Sequence, residues 1–236
     1  MRRGWFDAGD NDKYVTHVME PVNQLLNAYT ANPGVFTDDF GIPESANGIP
    51  DILDEVKWEL DWLKNMQDTA DGGAFLKVIY HNRPGPVPSP PSTDTYPRYY
   101  VTPKRTAATI DIACIMAHAY LVYKQFPEME NYAADCKKRA VQAWDYFHNN
   151  PMNFHTGNLE RADRDEKTQK ADAFTAAIYL YAATGEQKYN DYITDNFNES
   201  GPSSNSWGLY NNHRTQALLF YAHLDRKSAC RERVCH

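Results

Sequence analysis

The stretch at residues 106–126 narrows most what this chain can become. Ala107, Ala108, Ile110, Ile112, Ala113, Ile115, Met116, Ala119, Tyr120 and Val122 fall on every side of a helix and leave almost no polar face. A helix apolar all round is stable only where protein covers it on all sides. The next segment differs. Tyr132, Ala133, Cys136, Ala140, Ala143, Trp144 and Phe147 form one stripe, the pattern of a helix with a core on one side and water on the other. The pairing recurs. Residues 171–184 are rich in Ala and aromatics and end at Gly185, a helix stop. Tyr189, Tyr192, Ile193 and Phe197 then make another single stripe. An inner helix followed by an outer one through a short turn builds an α/α toroid, and an irregular helical bundle meets the same pattern.

Three further segments complete a set of seven. Residues 18–29 form the earliest and residues 212–224 the last, with Ala217, Leu218, Phe220, Tyr221 and Leu224. Between Asn47-Gly48-Ile49-Pro50 and Met66, a proline opens a helix whose first turn carries Asp51, Asp54 and Glu55, a placement the helix dipole favours. Ile52, Leu53, Val56, Leu60 and Leu63 trace one stripe, and Trp58 and Trp62 a second, so this helix is expected to pack on two sides. No segment alternates like a strand, so the fold class is all-α.

Charge and composition exclude other classes. Lys plus Arg is 24 and Asp plus Glu is 31, a net charge of −7 in 236 residues. Phosphate-binding surfaces concentrate Lys and Arg, so nucleic acid is not an expected partner. No apolar run is expected to reach the ~18 residues of a membrane span, and Met1-Arg2-Arg3-Gly4-Trp5 carries no apolar leader. Cys114, Cys136, Cys230 and Cys235 lack metal or redox spacing.

Residues 69–105 interrupt the helical pattern. Pro84-Gly85-Pro86-Val87-Pro88-Ser89-Pro90-Pro91 keeps the chain extended. Loops of this length in compact domains serve a site or stay disordered. Tyr80, His81, Arg83, Tyr96, Arg98, Tyr99 and Tyr100 suit a cleft rim or a solvated surface alike. Chemistry points elsewhere, to Trp5-Phe6-Asp7-Ala8-Gly9-Asp10. The small Ala8-Gly9 pair lets the backbone turn so that both carboxylates aim at one point, where they can hold and deprotonate a water. The same residue types also make turns and helix caps.

The surrounding blocks carry a resemblance. Asp7-Ala8-Gly9-Asp10-Asn11-Asp12-Lys13-Tyr14-Val15 resembles the Asp-Ala-Gly-Asp signature of family 9 of the glycoside hydrolases, the inverting cellulases. The block from Ile42-Pro43-Glu44-Ser45-Ala46-Asn47-Gly48-Ile49-Pro50-Asp51 to Trp62 is similar to that family over twenty residues. Asp71-Gly72-Gly73, Lys77-Val78, Thr106-Ala107-Ala108-Thr109 and Ala182-Ala183-Thr184-Gly185-Glu186 follow in the family's order, from Gly4 to about Leu224. The subgroup looks like the bacterial one that carries an immunoglobulin-like domain ahead of the catalytic domain.

The resemblance implies an (α/α)6 barrel with an aromatic cleft. Asp10 is then the general base, and Asp7 orients the attacking water. A Glu about 6.5–9.5 Å away protonates the leaving oxygen, and configuration inverts. It marks Lys77 and Arg105 as candidate substrate contacts. It implies a β-linked oligo- or polysaccharide as ligand, no required cofactor, and a secreted or periplasmic setting.

Departures qualify that picture. The family's late acid block and its His-His-Arg stretch have no counterpart here. Asn212-His213-Arg214 lies in a helical stretch out of order, and Glu160, Glu166 and Glu199 lack the acid's flanks. Seven helices are also fewer than the twelve of the full barrel. Residues 1–224 are therefore expected to be the N-terminal part of the catalytic domain, about half a barrel. Residues 225–236 are expected to be a non-matching tail, and the whole a truncated reading frame without the acid. Exposed inner helices would then favour self-association. Where some members bind calcium, only Asp172 stands in place, with Asp163, Asp165 and Glu166 as substitute oxygen donors. Leu76, where the family often has His, and Lys104-Arg105 leave open a different β-linked saccharide, such as an amino-sugar oligomer. A non-catalytic carbohydrate-binding or inactive fragment is the alternative.

Overall fold

The computed structural model describes residues 3–80, 85–101, 103–154, 163–200 and 212–224. His81, Arg83, Glu160, Cys230, Cys235, the Glu199 side chain and the tail at 225–236 lie outside the described residues. Seven α-helices appear among those described: α1 Met19–Ala31, α2 Asp51–Met66, α3 Thr106–Tyr123, α4 Glu130–Asn149, α5 Glu166–Thr184, α6 Gln187–Ser200 and α7 Asn212–Ala222.

The two-tier pattern is realised. α3 is buried over nearly its whole surface, whereas α4 buries only the stripe from Ala133 to Phe147. α5 is buried almost throughout, and α6 turns Tyr189 and Ile193 inward. α3 packs on α4 and α5, and α5 packs on α6 and α7. Gly185 ends α5 in the left-handed region (φ 76°), where its N–H returns to the Tyr181 carbonyl. α7 reaches α1 as well as α5: Gln24 Nε2 donates to Asn212 Oδ1 at 3.0 Å, and Asn27 Nδ2 to Gln216 Oε1 at 2.9 Å. Cys114 and Cys136 are buried free thiols.

Two expectations need correction. α3 is an 18-residue helix long and apolar enough to cross a membrane by length and composition, with 89% of it buried inside the protein. Its apolar faces are covered by α1, α4 and α5. The second correction is a three-stranded antiparallel sheet in the order β1-β2-β3, from Lys13–Tyr14, Lys77–Tyr80 and Arg98–Tyr100. Strands of two to four residues are too short to show a period-two pattern. The sheet fastens part of the proline-rich 69–105 stretch to the segment carrying Asp7 and Asp10, with Tyr14 opposite Lys77 and Val78 opposite Tyr100.

Candidate active site

The acidic motif is held by a strap, residues 3–6, laid along α2. Gly4 adopts φ 78° and donates its N–H to the Trp58 carbonyl at 3.3 Å. Trp5 donates its backbone N–H to Glu59 and its indole N–H to Glu55 Oε1 at 2.6 Å. The strap covers the second stripe of α2 unevenly: Trp62 is fully buried, while Trp58 keeps 39% exposure beneath the Arg3 guanidinium. A Cβ on Gly4 would come within 2.5 Å of Trp62 Cγ. Left-handed backbone and this overlap together predict that Gly4→Ala costs about 3 kcal/mol, read from a urea titration. A loss below about 0.5 kcal/mol would show that the strap is not packed in this way.

Beneath the strap lies a buried ionisable pair. Burial lifts the Glu59 carboxyl to about 7, against the bond from Trp5 and the charge of Lys13. Burial likewise lowers Lys13 to about 8, opposed by Glu59. A carboxyl whose folded pKa exceeds its ordinary 4.5 binds more protons when folded, so stability falls as pH rises from about 4.5 to 7. Glu59→Gln keeps an acceptor for Trp5 and removes that titration. Its stability relative to the wild type should rise by up to about 3 kcal/mol between pH 4.5 and 7.5. Urea midpoints at the two pH values give the comparison, and a constant difference would refute the assignment.

The strap delivers residues 7–14 to the sheet. Asp7 Oδ2 lies 2.9 Å from His17 Nδ1, and the His17 ring stacks on Tyr14 at 4.6 Å. Asp10 Oδ1 accepts the Asp12 N–H at 3.1 Å, so this carboxylate also shapes the turn. Asn11 takes the left-handed conformation (φ 61°), which Asn tolerates better than most residues. Its carbonyl accepts from Arg98, and its amide donates to Asp94 Oδ2 at 3.3 Å. Arg98 also bonds Tyr80 Oη at 2.7 Å and Asp94 Oδ2 at 3.0 Å. Bonds from Asn11, Tyr96 and Arg98 overcome the burial that would raise Asp94, and hold its carboxyl below the usual range. Asp94, Arg98 and Tyr80 thus brace the motif from the proline-rich stretch.

The electrostatics link the acids to a common neighbour. Burial first, then the charges of Asp12, Asp10 and Asp7, push the Tyr14 phenol up to about 12. Three carboxylates therefore act on one hydroxyl. Lys77, opposite Tyr14 in the sheet, sets its ammonium 5.3 Å from the Tyr14 ring centroid and so joins this group. Arg105 sits at the N-cap of α3, with its Nε 3.3 Å from Asp163 Oδ2 and its N–H on the Ala74 carbonyl. Sequence reasoning passed over His17, Asp94 and the bracing role of Arg98. Each meets the motif only through the folded sheet, and none has a distinctive flank.

The remaining sequence candidates go elsewhere. Asp172 is clamped between two guanidiniums, Arg164 on Oδ2 at 2.6 Å and Arg214 on Oδ1 at 2.7 Å. A carboxylate so neutralised does not suit a cation. Asp163 pairs with Arg105, Asp165 caps α5 through the Thr168 N–H, and Glu166 pairs with Lys170. Among the described residues each of these donors thus has a protein partner of its own. Arg214 belongs to the buried cluster, so Asn212-His213-Arg214 serves the core of α7, with His213 also buried. Leu76 is wholly buried, and Lys104 is held by Asp68 at 2.6 Å and Asp71 at 2.8 Å.

Comparison with known proteins follows the same lines. The model of glycosyl hydrolase family 9 matches residues 1–233. A cellulose 1,4-β-cellobiosidase of Acetivibrio thermocellus is 30% identical over 91% of this chain and 27% of its own length. A xyloglucan-specific endo-β-1,4-glucanase of Bacteroides ovatus is 30% identical over 80% of this chain and 34% of its own. Among solved structures, a metagenome-derived family 9 endoglucanase superposes with a TM-score of 0.85 at 32% identity, over 98% of this chain and 42% of that one. A thermostable endoglucanase of Alicyclobacillus acidocaldarius gives 0.81 at 26% identity, over 98% and 44%. The chain thus spans less than half the length of these relatives, and its helices follow the (α/α)6 barrel of that fold in part. By its acidic motif, its two-tier helices and this match along nearly its whole length, the chain belongs to glycosyl hydrolase family 9.

Proposed function

We propose that this chain holds the water-activating half of an active site that hydrolyses β-1,4-linked glucans with inversion. Asp10 is the general base, and Asp7, steadied by His17, orients the water. The observation that carries this reading is the Asp7-Ala8-Gly9-Asp10 motif, with Asp7 held by His17 and Asp10 fixing the turn, in a segment braced by α2 on one side and the sheet on the other. Lys77 and Arg105 are the candidate sugar contacts. No Glu of the described residues takes the protonating role in this reading. Among the described late acids, Glu166 is tied to Lys170 at the start of α5. The ligand is a β-linked glucan met outside the cytoplasm, as for the family's secreted or periplasmic cellulases.

Substrates that differ in leaving group test this directly. Fluoride departs from β-cellobiosyl fluoride without protonation, so a base alone suffices. Carboxymethyl-cellulose needs the acid as well. The chain should hydrolyse the fluoride, releasing the inverted α-anomer first, and leave carboxymethyl-cellulose almost untouched. Strong hydrolysis of the polymer would place the acid within residues 1–236. Cleavage of neither substrate, with calorimetric binding of cello-oligosaccharides, would instead support a carbohydrate-binding module.

A further inference from the structure

Arg164 is tied to the core through one terminal nitrogen and to the active-site segment through the other. Its NH1 donates to Asp111 Oδ1 at 2.8 Å and to Asp172 Oδ2 at 2.6 Å, and neither carboxylate has any side-chain exposure. Asp111 stands on α3 and Asp172 on α5, two inner helices packed together. Asp172 is held a second time, on its Oδ1, by Arg214 of α7. A guanidinium is a rigid plane, so fixing NH1 between two anchored carboxylates also fixes where NH2 points. It points at the Thr16 carbonyl and bonds it.

Buried ion clusters add little stability over apolar side chains of the same volume. What apolar side chains cannot supply is a donor aimed at a set point. Thr16 lies in the short 3-10 turn Val15–His17, just ahead of α1. A peptide unit is planar, so the Thr16 oxygen and the His17 Cα share one plane. Holding that oxygen sets the direction in which the His17 side chain leaves the backbone. His17 then turns its Nδ1 to Asp7 Oδ2 at 2.9 Å, while its ring stacks on Tyr14. A path thus runs from the buried ends of the inner helices to the water-orienting carboxylate, through Arg164, Thr16, His17 and Asp7. The strap and the sheet reach the motif at other residues, Trp5 and Asn11.

We propose that Arg164 is a positioning residue for hydrolysis: through the Thr16 carbonyl it fixes His17, and through His17 the carboxylate of Asp7. The proposal rests on the hydrolytic reading of Asp7 and Asp10. It gives the Asp111–Arg164–Asp172 cluster a role in turnover besides its role in the core. Arg164 acts on the water and not on the sugar, so its loss slows the chemical step and leaves KM unchanged. A catalytic group misplaced by about 1 Å can cost about 10²-fold in rate.

Lysine separates the two bonds. Arg164→Lys keeps a positive charge for Asp111 and Asp172, but one ammonium between them cannot also hold the Thr16 oxygen in the guanidinium's geometry. Arg214→Lys is the control, because it disturbs the same Asp172 through its other oxygen. With β-cellobiosyl fluoride, kcat of Arg164→Lys should fall by about 10–100-fold at unchanged KM, and Arg214→Lys should match the wild type. Far-UV circular dichroism and Tm are recorded for each chain. In chains carrying 15N-labelled histidine, the His17 imidazole signals, identified by their loss in His17→Gln, should move in Arg164→Lys and stay in place in Arg214→Lys. Should Arg164→Lys not fold, Asp111→Asn loosens the same guanidinium and should move the same signals. Unmoved His17 signals overturn the proposal, as does a kcat for Arg164→Lys within about threefold of the wild type, or an equal loss in both lysine variants. A wild type that leaves the fluoride intact refutes the hydrolytic reading instead. Moved His17 signals then still support the hold of Arg164 on His17, and unmoved ones overturn it.

Discussion

Asp10→Asn lowers hydrolysis of β-cellobiosyl fluoride by about 10²–10⁴-fold, the usual contribution of a general base. The amide occupies the same volume and can still accept the Asp12 N–H, so the turn survives. What goes is the capacity to take a proton from water as it attacks the anomeric carbon. Initial rates for the wild type and variant, with matched circular dichroism, give the comparison. Asp7→Asn should cost less, because its carboxylate orients the water rather than accepting its proton. Its partner His17 would still meet an acceptor oxygen in the amide. A drop under threefold for Asp10→Asn, or a larger loss at Asp7 than at Asp10, would reverse the two roles.

The second large effect concerns stability. Arg164 NH1 bonds Asp111 Oδ1 at 2.8 Å and Asp172 Oδ2 at 2.6 Å, and its NH2 bonds the Thr16 carbonyl. Asp111 and Asp172 have no side-chain exposure. Burial drives the Asp111 carboxyl well above its usual range even with Arg164 beside it. Burial would depress the Arg164 guanidinium, but the two aspartates outweigh it and hold the charge. Truncating one partner of a buried ion pair strands the others. Arg164→Ala should therefore cost about 3–5 kcal/mol, measured by urea unfolding at pH 7.5. The loss should shrink as the pH falls, where the orphaned Asp111 carboxyl takes up a proton and needs no guanidinium. A loss under about 1 kcal/mol at pH 7.5 would mean that Arg164 does not carry the buried cluster. The cluster also bears on the site, since the Thr16 carbonyl it holds lies between Tyr14 and His17.

Much of the scaffold was legible because it is written in local composition. Ala107 to Val122 leaves no polar face, so only an inner position suits it. Ala133 to Phe147 leaves one, so only an outer position suits that. The Gly185 stop and the Pro50 start are matters of backbone chemistry, and both stand where expected. The acidic motif was legible through its small residues and its long matching neighbour block. Asp51 and Asp54 were legible as dipole partners.

Other features depend on residues far apart in the chain. Lys13, Val78 and Tyr100 form a sheet too short to leave a periodic trace. Arg164 joins Thr16, Asp111 and Asp172 across nearly 150 positions, and no flank of any of them announces it. Asp172, a candidate metal ligand from its place in the order, pairs with Arg164 and Arg214.

The sequence by itself determined which helices are inside and which outside, and it marked the two carboxylates to which the proposed chemistry is assigned. Those follow from side-chain character repeated every turn and from a contiguous motif. Only the tertiary structure decided what each charge answers to: Asp7 to His17, Asp94 to Arg98, and Asp172 to two arginines. Electrostatic energy depends on distance and burial, and the fold sets both.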